Sequence, residues 1–210
     1  MLPHHNLYLF FIASLMLNLT PGNDMLYVAS RSLSQGKTGG IFSALGIFLG
    51  CFVHITAAIL GLSIIVAKSA FLFEMIKYAG AAYLVYLGIR TLISKEKLRA
   101  DLEKLPAADK WKLLRQGMLT NVLNPKVAVF FLSFLPQFAE PASPLFRWQL
   151  FSLGIWFDVQ GTLILIVVAI LLSRSTNFIK RSPNFWNIQK KLTGMILIAL
   201  GVKLAVASKQ

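Results

Sequence analysis

The sequence predicts an all-α, polytopic membrane protein: six transmembrane helices forming a 3+3 inverted repeat, with helices broken at Pro21 and Pro125. Three observations lead there. Long apolar runs alternate with short polar stretches, so 56% of residues are hydrophobic and 14% charged, against about 25% charged in a soluble domain. Lys and Arg gather in a few of the polar stretches. A polar residue followed by proline interrupts the first and the fourth apolar run at related positions.

Hydropathy places the spans at approximately 7–29, 41–67, 70–93, 114–138, 146–172 and 191–207. They form one transmembrane domain, 1–210, whose halves, 1–93 and 114–210, are joined by a polar cytoplasmic loop, 94–113. The apolar stretch from Leu7 to Leu19 is not preceded by Lys or Arg, and its character continues to Val28. Both features argue against a cleaved signal peptide.

The net charge of +13 would suggest nucleic acid in a soluble chain. Here the basic residues lie between spans, at Lys95, Lys97, Arg99, Lys104, Lys110, Lys112 and Arg115, and at Arg174, Lys180, Arg181, Lys190 and Lys191. That pattern is the positive-inside signal with attraction to anionic headgroups, so the partner is a lipid bilayer and not nucleic acid. Arg31 and Lys37 after the first span belong to the same side, and only Lys68, Arg147 and Lys209 to the other. Both termini then face away from the cytoplasm if all six segments cross. A fourth segment that re-enters at Pro125 would change that count. The single cysteine, Cys51, excludes an internal disulfide and a cysteine metal cluster.

The halves resemble each other. Phe42-Ser43-Ala44-Leu45-Gly46-Ile47-Phe48 aligns with Phe151-Ser152-Leu153-Gly154-Ile155-Trp156-Phe157 with one gap, and each match follows a break, Thr20-Pro21-Gly22 or Asn124-Pro125-Lys126. Repeats of three spans lie in opposite orientations, as in secondary transporters. At each break Thr20 or Asn124 is expected to cap a restarting helix, with proline at its first position. The exposed N–H groups of such half-helices cannot face lipid and suit an anionic group such as a carboxylate. Thr20, Pro21, Gly22, Asn124, Pro125 and Lys126 are therefore candidate substrate-binding residues. Lys126 either meets a substrate carboxylate or pairs with an intramembrane acid. Asp24 follows the first break and is placed to receive a substrate ammonium; a first-turn charge that complements the helix dipole is the plainer alternative.

An acid inside a span is costly and usually functional, which singles out Asp158. Gly46, Gly50 and His54 recur at four-residue spacing, and Gly154, Asp158 and Thr162 are their repeat-related partners. Small residues on these faces let helices approach closely, so His54 and Asp158 should point into the bundle. Both are candidate proton-coupling residues, although a lone His is as often a hydrogen-bonded packing residue. Glu74 and Lys77 are expected at the interface.

The breaks, together with Gly80-Ala81-Ala82-Tyr83-Leu84-Val85-Tyr86-Leu87-Gly88, Asn121-Val122-Leu123-Asn124-Pro125-Lys126, Phe130-Phe131 and Leu135-Pro136-Gln137-Phe138, resemble the LysE/RhtB amino-acid exporter superfamily over nearly the whole chain. The region around His54, Phe73-Glu74 and Gly80 to Gly88 is most similar to the homoserine/threonine branch. The first motif departs from the family's Thr-Pro-Gly-Pro, since Asn23 follows Gly22. The resemblance implies a multi-pass exporter of the bacterial inner membrane, driven by protons or exchange. Its substrate would be a small amino acid or derivative such as homoserine or threonine, with no cofactor; a homo-oligomer is left open. A membrane-embedded enzyme is disfavoured, because no His-Glu-x-x-His or Gly-x-Ser-x-Gly is present. No metal site is expected, and a cation exporter would want more oxygen ligands. A scaffold or lipid-handling protein would have no need of buried acids.

Overall fold

We describe residues 4–62, 70–93, 107–174 and 183–206 of a computed structural model of the chain. Much of the 94–113 loop and the end of the second predicted span lie outside these, as do the basic residues Lys95, Lys97, Arg99, Lys104, Lys180 and Arg181. The described residues are helical, with no strand among them. Seven α-helices follow in order: α1 His4–Leu19, α2 Asn23–Ala57, α3 Ala70–Ile93, α4 Lys110–Val122, α5 Pro125–Val129, α6 Phe146–Arg174 and α7 Pro183–Val206. A π-turn, Ala58–Leu62, extends α2, while a π-turn at Phe130–Phe134 and a 3-10 turn at Leu135–Phe138 extend α5.

Two stretches, Asn23–Gly61 and Phe146–Arg174, are long and apolar enough to cross a bilayer, and the pair Lys110–Val122 with Pro125–Phe138, bent by 48°, is a third if it counts as one span. The first is not one straight rod. At 39 residues it would reach about 58 Å, twice the hydrocarbon thickness. It breaks at Gly36, whose φ of 68° and ψ of −166° are not helical. A Cβ on Gly40 would meet Ser32 and one on Gly39 would lie 3.0 Å from the Arg31 carbonyl. Residues eight apart in a straight helix are about 12 Å apart, so the chain turns back on itself at Gly36. The segment 23–35 is thus the second half of the first predicted span, and 37–57 begins the second span. The reversal falls in the 30–40 stretch that hydropathy leaves between the first two predicted spans, 7–29 and 41–67; what differs from expectation is that helix runs up to Gly36 from both sides.

Close approach of backbones fixes the packing. Gly46 of α2 lies against the Leu114 carbonyl of α4, and Gly117 of α4 against the Ser43 carbonyl of α2. A Cβ on Gly50 would lie 2.6 Å from the Met118 carbonyl. Helices α3 and α7 pair the same way, with Gly88 facing the Gly194 carbonyl and Gly201 the Ala81 carbonyl at 2.7 Å each. The small-residue faces read from the sequence are therefore the contact faces, as expected where lipid supplies no driving force between helices. Gly46, Gly50 and His54 are all buried, and so are their repeat-related partners Gly154, Asp158 and Thr162. The surface instead carries large apolar side chains such as Tyr8, Phe71, Leu123 and Leu163. Lys77, near the start of α3, is buried, 3.8 Å from Glu74 and over the Tyr78 ring.

These contacts sort the glycines. Gly36→Ala forces a side chain into a conformation nearly reserved for glycine and should cost about 1–3 kcal/mol. Gly46→Ala drives a methyl into the Leu114 backbone and should also lower the melting temperature in detergent. Gly61→Ala, with open space around its Cβ position, should be neutral or slightly stabilising. Equal melting temperatures for all three variants would contradict this packing.

Candidate functional site

Helix α1 stops at Leu19 and α2 starts at Asn23, so the first break lies where the sequence places it. Its capping differs from expectation. The N-cap is Gly22, with no side-chain cap, and the Thr20 hydroxyl donates back to the Met16 carbonyl at 2.7 Å. Thr20 therefore closes the end of α1 instead of opening α2. The β-branched hydroxyl reaches its own preceding turn more easily than a helix two residues ahead. The second break follows the expected design. Asn124 Oδ1 accepts from the Lys126 N–H at 3.0 Å, and Pro125 is the first residue of α5.

The two breaks touch through Lys126. Its Nζ donates to the Leu17 carbonyl at 3.2 Å and the Thr20 carbonyl at 3.0 Å. Gly22 lies beside it, where an added Cβ would be 3.2 Å from Nζ. An ammonium from the start of one half-helix thus satisfies the Thr20 carbonyl at the end of the other and adds a second donor to the Leu17 carbonyl, which also accepts from the Thr20 N–H at 3.1 Å. This placement favours cation on a negative helix end. It also explains how the first break survives in a low-dielectric interior.

Asp24 lies in the first turn of α2. Its Oδ2 accepts from Asn121 Nδ2 at 2.8 Å. The Asn121 carbonyl contacts His54 Nε2 at 2.9 Å. A carbonyl only accepts, so Nε2 carries the hydrogen. The His54 ring also stacks on Phe131 at 6.0 Å. Asn121 therefore joins Asp24 to His54. Asp158 on α6 is 3% exposed, and the Cys51 thiol of α2 adjoins its carboxyl.

These groups surround one cavity of about 30 Å³, room for about two waters. Of the residues singled out from the sequence, Thr20, Asp24, Lys126 and Asp158 are in its wall. Gly22 and Asn124 support Lys126 from behind, His54 stands behind Asn121, and Pro21 and Pro125 act on the backbone. Asn18, Cys51 and Asn121 are wall residues that the sequence reading did not select. Asn18 donates to the Phe157 carbonyl at 3.1 Å, tying α1 to α6. A signal for Asn18 and Asn121 did exist: each is an amide inside an apolar span, within three residues of a break.

Two clusters of different chemistry lie on either side of the first break. Before the break, Phe10 packs on Phe130 and Phe138, and Phe130 stacks on Phe157 at 4.4 Å. After it, Arg31 donates to Gln116 at 2.8 Å and to Gln35 at 3.0 Å, and Tyr27 donates to the Leu113 carbonyl at 3.1 Å. Gln35 in turn donates to the Ala108 carbonyl at 2.7 Å, at the edge of the polar loop.

The Lys126 contacts predict a stability effect. Lys126→Met leaves the Leu17 and Thr20 carbonyls without this donor and should cost about 1–3 kcal/mol. Thermal melting of the purified protein reads it, and an unchanged midpoint would show that the ammonium does not hold the break.

Comparison with known proteins agrees with this geometry. A family model described as LysE type translocator matches residues 15–208. The chain is 30% identical over 211 residues to an uncharacterized membrane protein of Bacillus subtilis (strain 168), YrhP, covering 97% of this chain and 100% of that one. It is 31% identical over 199 residues to a membrane protein of Vibrio cholerae serotype O1, covering 94% and 95%. It is 29% identical over 201 residues to the homoserine/homoserine lactone efflux protein of Salmonella typhimurium, covering 95% and 96%. No solved structure matches the chain. The apolar helices and these relatives fit a multi-pass protein of the inner membrane. The chain belongs to the LysE type translocator family.

Proposed function

We propose that this protein is a secondary active exporter of a small amino acid or close derivative, with a neutral amino acid of the homoserine or threonine type as substrate and protons as the coupling ion. The observation that carries the reading is the small cavity where two broken helices meet, with the charged residues Asp24, Lys126 and Asp158 in a wall that is otherwise largely apolar. Broken helices near the middle of a bilayer are where secondary transporters hold their cargo. The Salmonella relative, named for homoserine and homoserine lactone efflux, supports the substrate class.

In this reading all six segments cross, the halves 1–93 and 114–210 form the inverted repeat, and the termini are external. The cavity is too small for an amino acid and is sealed on both sides, so transport alternates between opening the Arg31–Gln116 seal and opening the phenylalanine seal. With that orientation the Arg31 side is cytoplasmic. Asp24 receives the substrate ammonium, and the Thr20–Gly22 and Asn124–Lys126 backbones frame the pocket. Asp158 is the proton carrier. His54 senses the site through Asn121. The family, one of translocators, favours transport over an enzyme reading.

Topology is the first test. Reporter fusions after Ala107 should be cytoplasmic and fusions at the C-terminus external. A cytoplasmic C-terminus would refute six crossings and favour a re-entrant fourth segment.

The coupling role is tested in inverted membrane vesicles with labelled amino acids. Asp158→Asn keeps size and hydrogen-bonding shape but fixes the group neutral. Concentrative uptake driven by an imposed pH gradient should fall at least about tenfold, the equivalent of roughly 1.4 kcal/mol, while exchange without a gradient persists. Wild-type accumulation by this variant would remove Asp158 from the coupling step.

A further inference from the structure

Helix α4 turns two faces to different neighbours. One face meets α2. There the Leu113 carbonyl accepts from Tyr27 at 3.1 Å and the Gln116 side chain from Arg31 at 2.8 Å. Just before the helix, the Ala108 carbonyl accepts from Gln35 at 2.7 Å. The opposite face is open. Trp111 is 66% exposed, Met118 43% and Leu119 56%, and Lys112 and Arg115 are exposed with them. Trp111, Arg115 and Met118 recur at i, i+4 and i+7, so they form one stripe, with Lys112 and Leu119 along its edge.

The stripe changes character along its length. Beyond Arg115 it is apolar, as a surface against acyl chains must be. At its start a tryptophan stands among cations, the composition of the headgroup level. Arg115 lies one helical turn, about 5–6 Å, further in than Trp111, and its long side chain reaches back to that level. Lys110 is turned away, with Nζ over the Phe42 ring of α2 at 5.2 Å. No acid among the described residues forms a salt bridge with Lys112 or Arg115. Asp109, the acid next to them in sequence, caps the helix and accepts from the Lys112 N–H at 2.9 Å.

An exposed guanidinium beside an ammonium, with apolar surface below, complements a phosphodiester that carries an acyl chain. The guanidinium takes phosphate oxygens in pairs. A zwitterionic headgroup brings its own cation and gains less. The charge also bears on the contact behind it. Arg31 of α2 bonds to Gln116, the residue next to Arg115, so both sides of that contact are cationic and repel. An anion on the outer face of α4 offsets the repulsion.

We propose that the outer face of the first two turns of α4 is an anionic-phospholipid site, and that its occupant holds the Arg31–Gln116 seal shut. This rests on the exporter reading only in taking that cluster as a seal.

The test uses the purified full-length protein. Native mass spectrometry reads which lipid is retained from a mixture of phosphatidylglycerol and phosphatidylcholine. Phosphatidylglycerol should be kept in preference, and the double variant Lys112→Gln, Arg115→Gln should keep at least about fivefold less of it. Arg147→Gln, beside the exposed Trp148 at the start of α6, should retain it like the wild type. All three replaced side chains are exposed, so a variant that fails to fold leaves the wild-type lipid comparison to decide. Hydrogen exchange in nanodiscs reads the seal. Amides of 27–36 and 108–117 should exchange at least about threefold more slowly in phosphatidylglycerol than in phosphatidylcholine, and the double variant should lose that difference. Equal retention of the two lipids, full retention by the double variant, an equal loss in Arg147→Gln, or exchange that does not follow the lipid would overturn the proposal. So would slow exchange restored in phosphatidylcholine by inorganic phosphate, or a dimer that the double variant splits, since the face would then take a free anion or a second copy of the chain. Vesicle export is read separately. Export without any lipid preference sinks this inference alone, and lipid retention without export of any amino acid sinks the exporter reading.

Discussion

An ammonium group on two carbonyls holds this structure open in the middle. Breaking a helix inside a bilayer strands backbone groups that lipid cannot satisfy. At the first break the stranded carbonyl is that of Thr20, and its donor comes from Lys126, more than a hundred residues away, which also reaches the Leu17 carbonyl. Without that donor the Thr20 carbonyl would be unpaired, and continuing α1 would give the Leu17 carbonyl nothing in exchange, because Pro21 has no N–H. The neighbours depend on the same contact. Gly22 has to be small because Nζ lies where its side chain would be. Asn124 has to cap α5 because Lys126 can reach back only if the helix starts where it does.

Asn121 extends this arrangement sideways. One amide and one carbonyl of the same residue reach Asp24 and His54. A change at either acid or imidazole is therefore felt by the other without direct contact between them. Linked polar groups in a low-dielectric interior reinforce one another when satisfied and are costly when not. The site is accordingly a small network with its slack concentrated at the cavity wall. The seals around it differ in kind. The phenylalanine side is held by ring packing, which is non-directional and tolerates sliding. The Arg31 side is held by directional hydrogen bonds, which break and re-form in discrete steps.

The all-helical membrane class was legible because bilayer thickness, apolar run length and proline are local signals. The positions of both breaks, the inward placement of His54 and Asp158 and the glycine contact faces could all be read from spacing along single helices. A reversal between residues 29 and 41 was expected, but its position at Gly36 was hidden, since one glycine among Gly36, Gly39 and Gly40 does not announce itself. The capping at Thr20 was misread because the same residue type serves a helix end or a helix start, and only its position relative to the following glycine decides. The role of Lys126 could not be read locally at all. Its partners are carbonyls, which every residue has, so no side-chain pattern marks them. Asn121 was visible as an intramembrane amide, but its two partners lie on other parts of the chain.

Cys51 has a consequence beyond its packing. It is the chain's single cysteine, it is buried, and it lies in the cavity wall beside Asp158. A thiol is modified only when a reagent and water reach it and the thiolate forms. If the cavity opens as proposed, Cys51 is a built-in sensor of that opening, beside Asp158. The rate at which a small maleimide reacts with the unaltered chain from one face or the other reports which seal has parted, and for how large a share of the time.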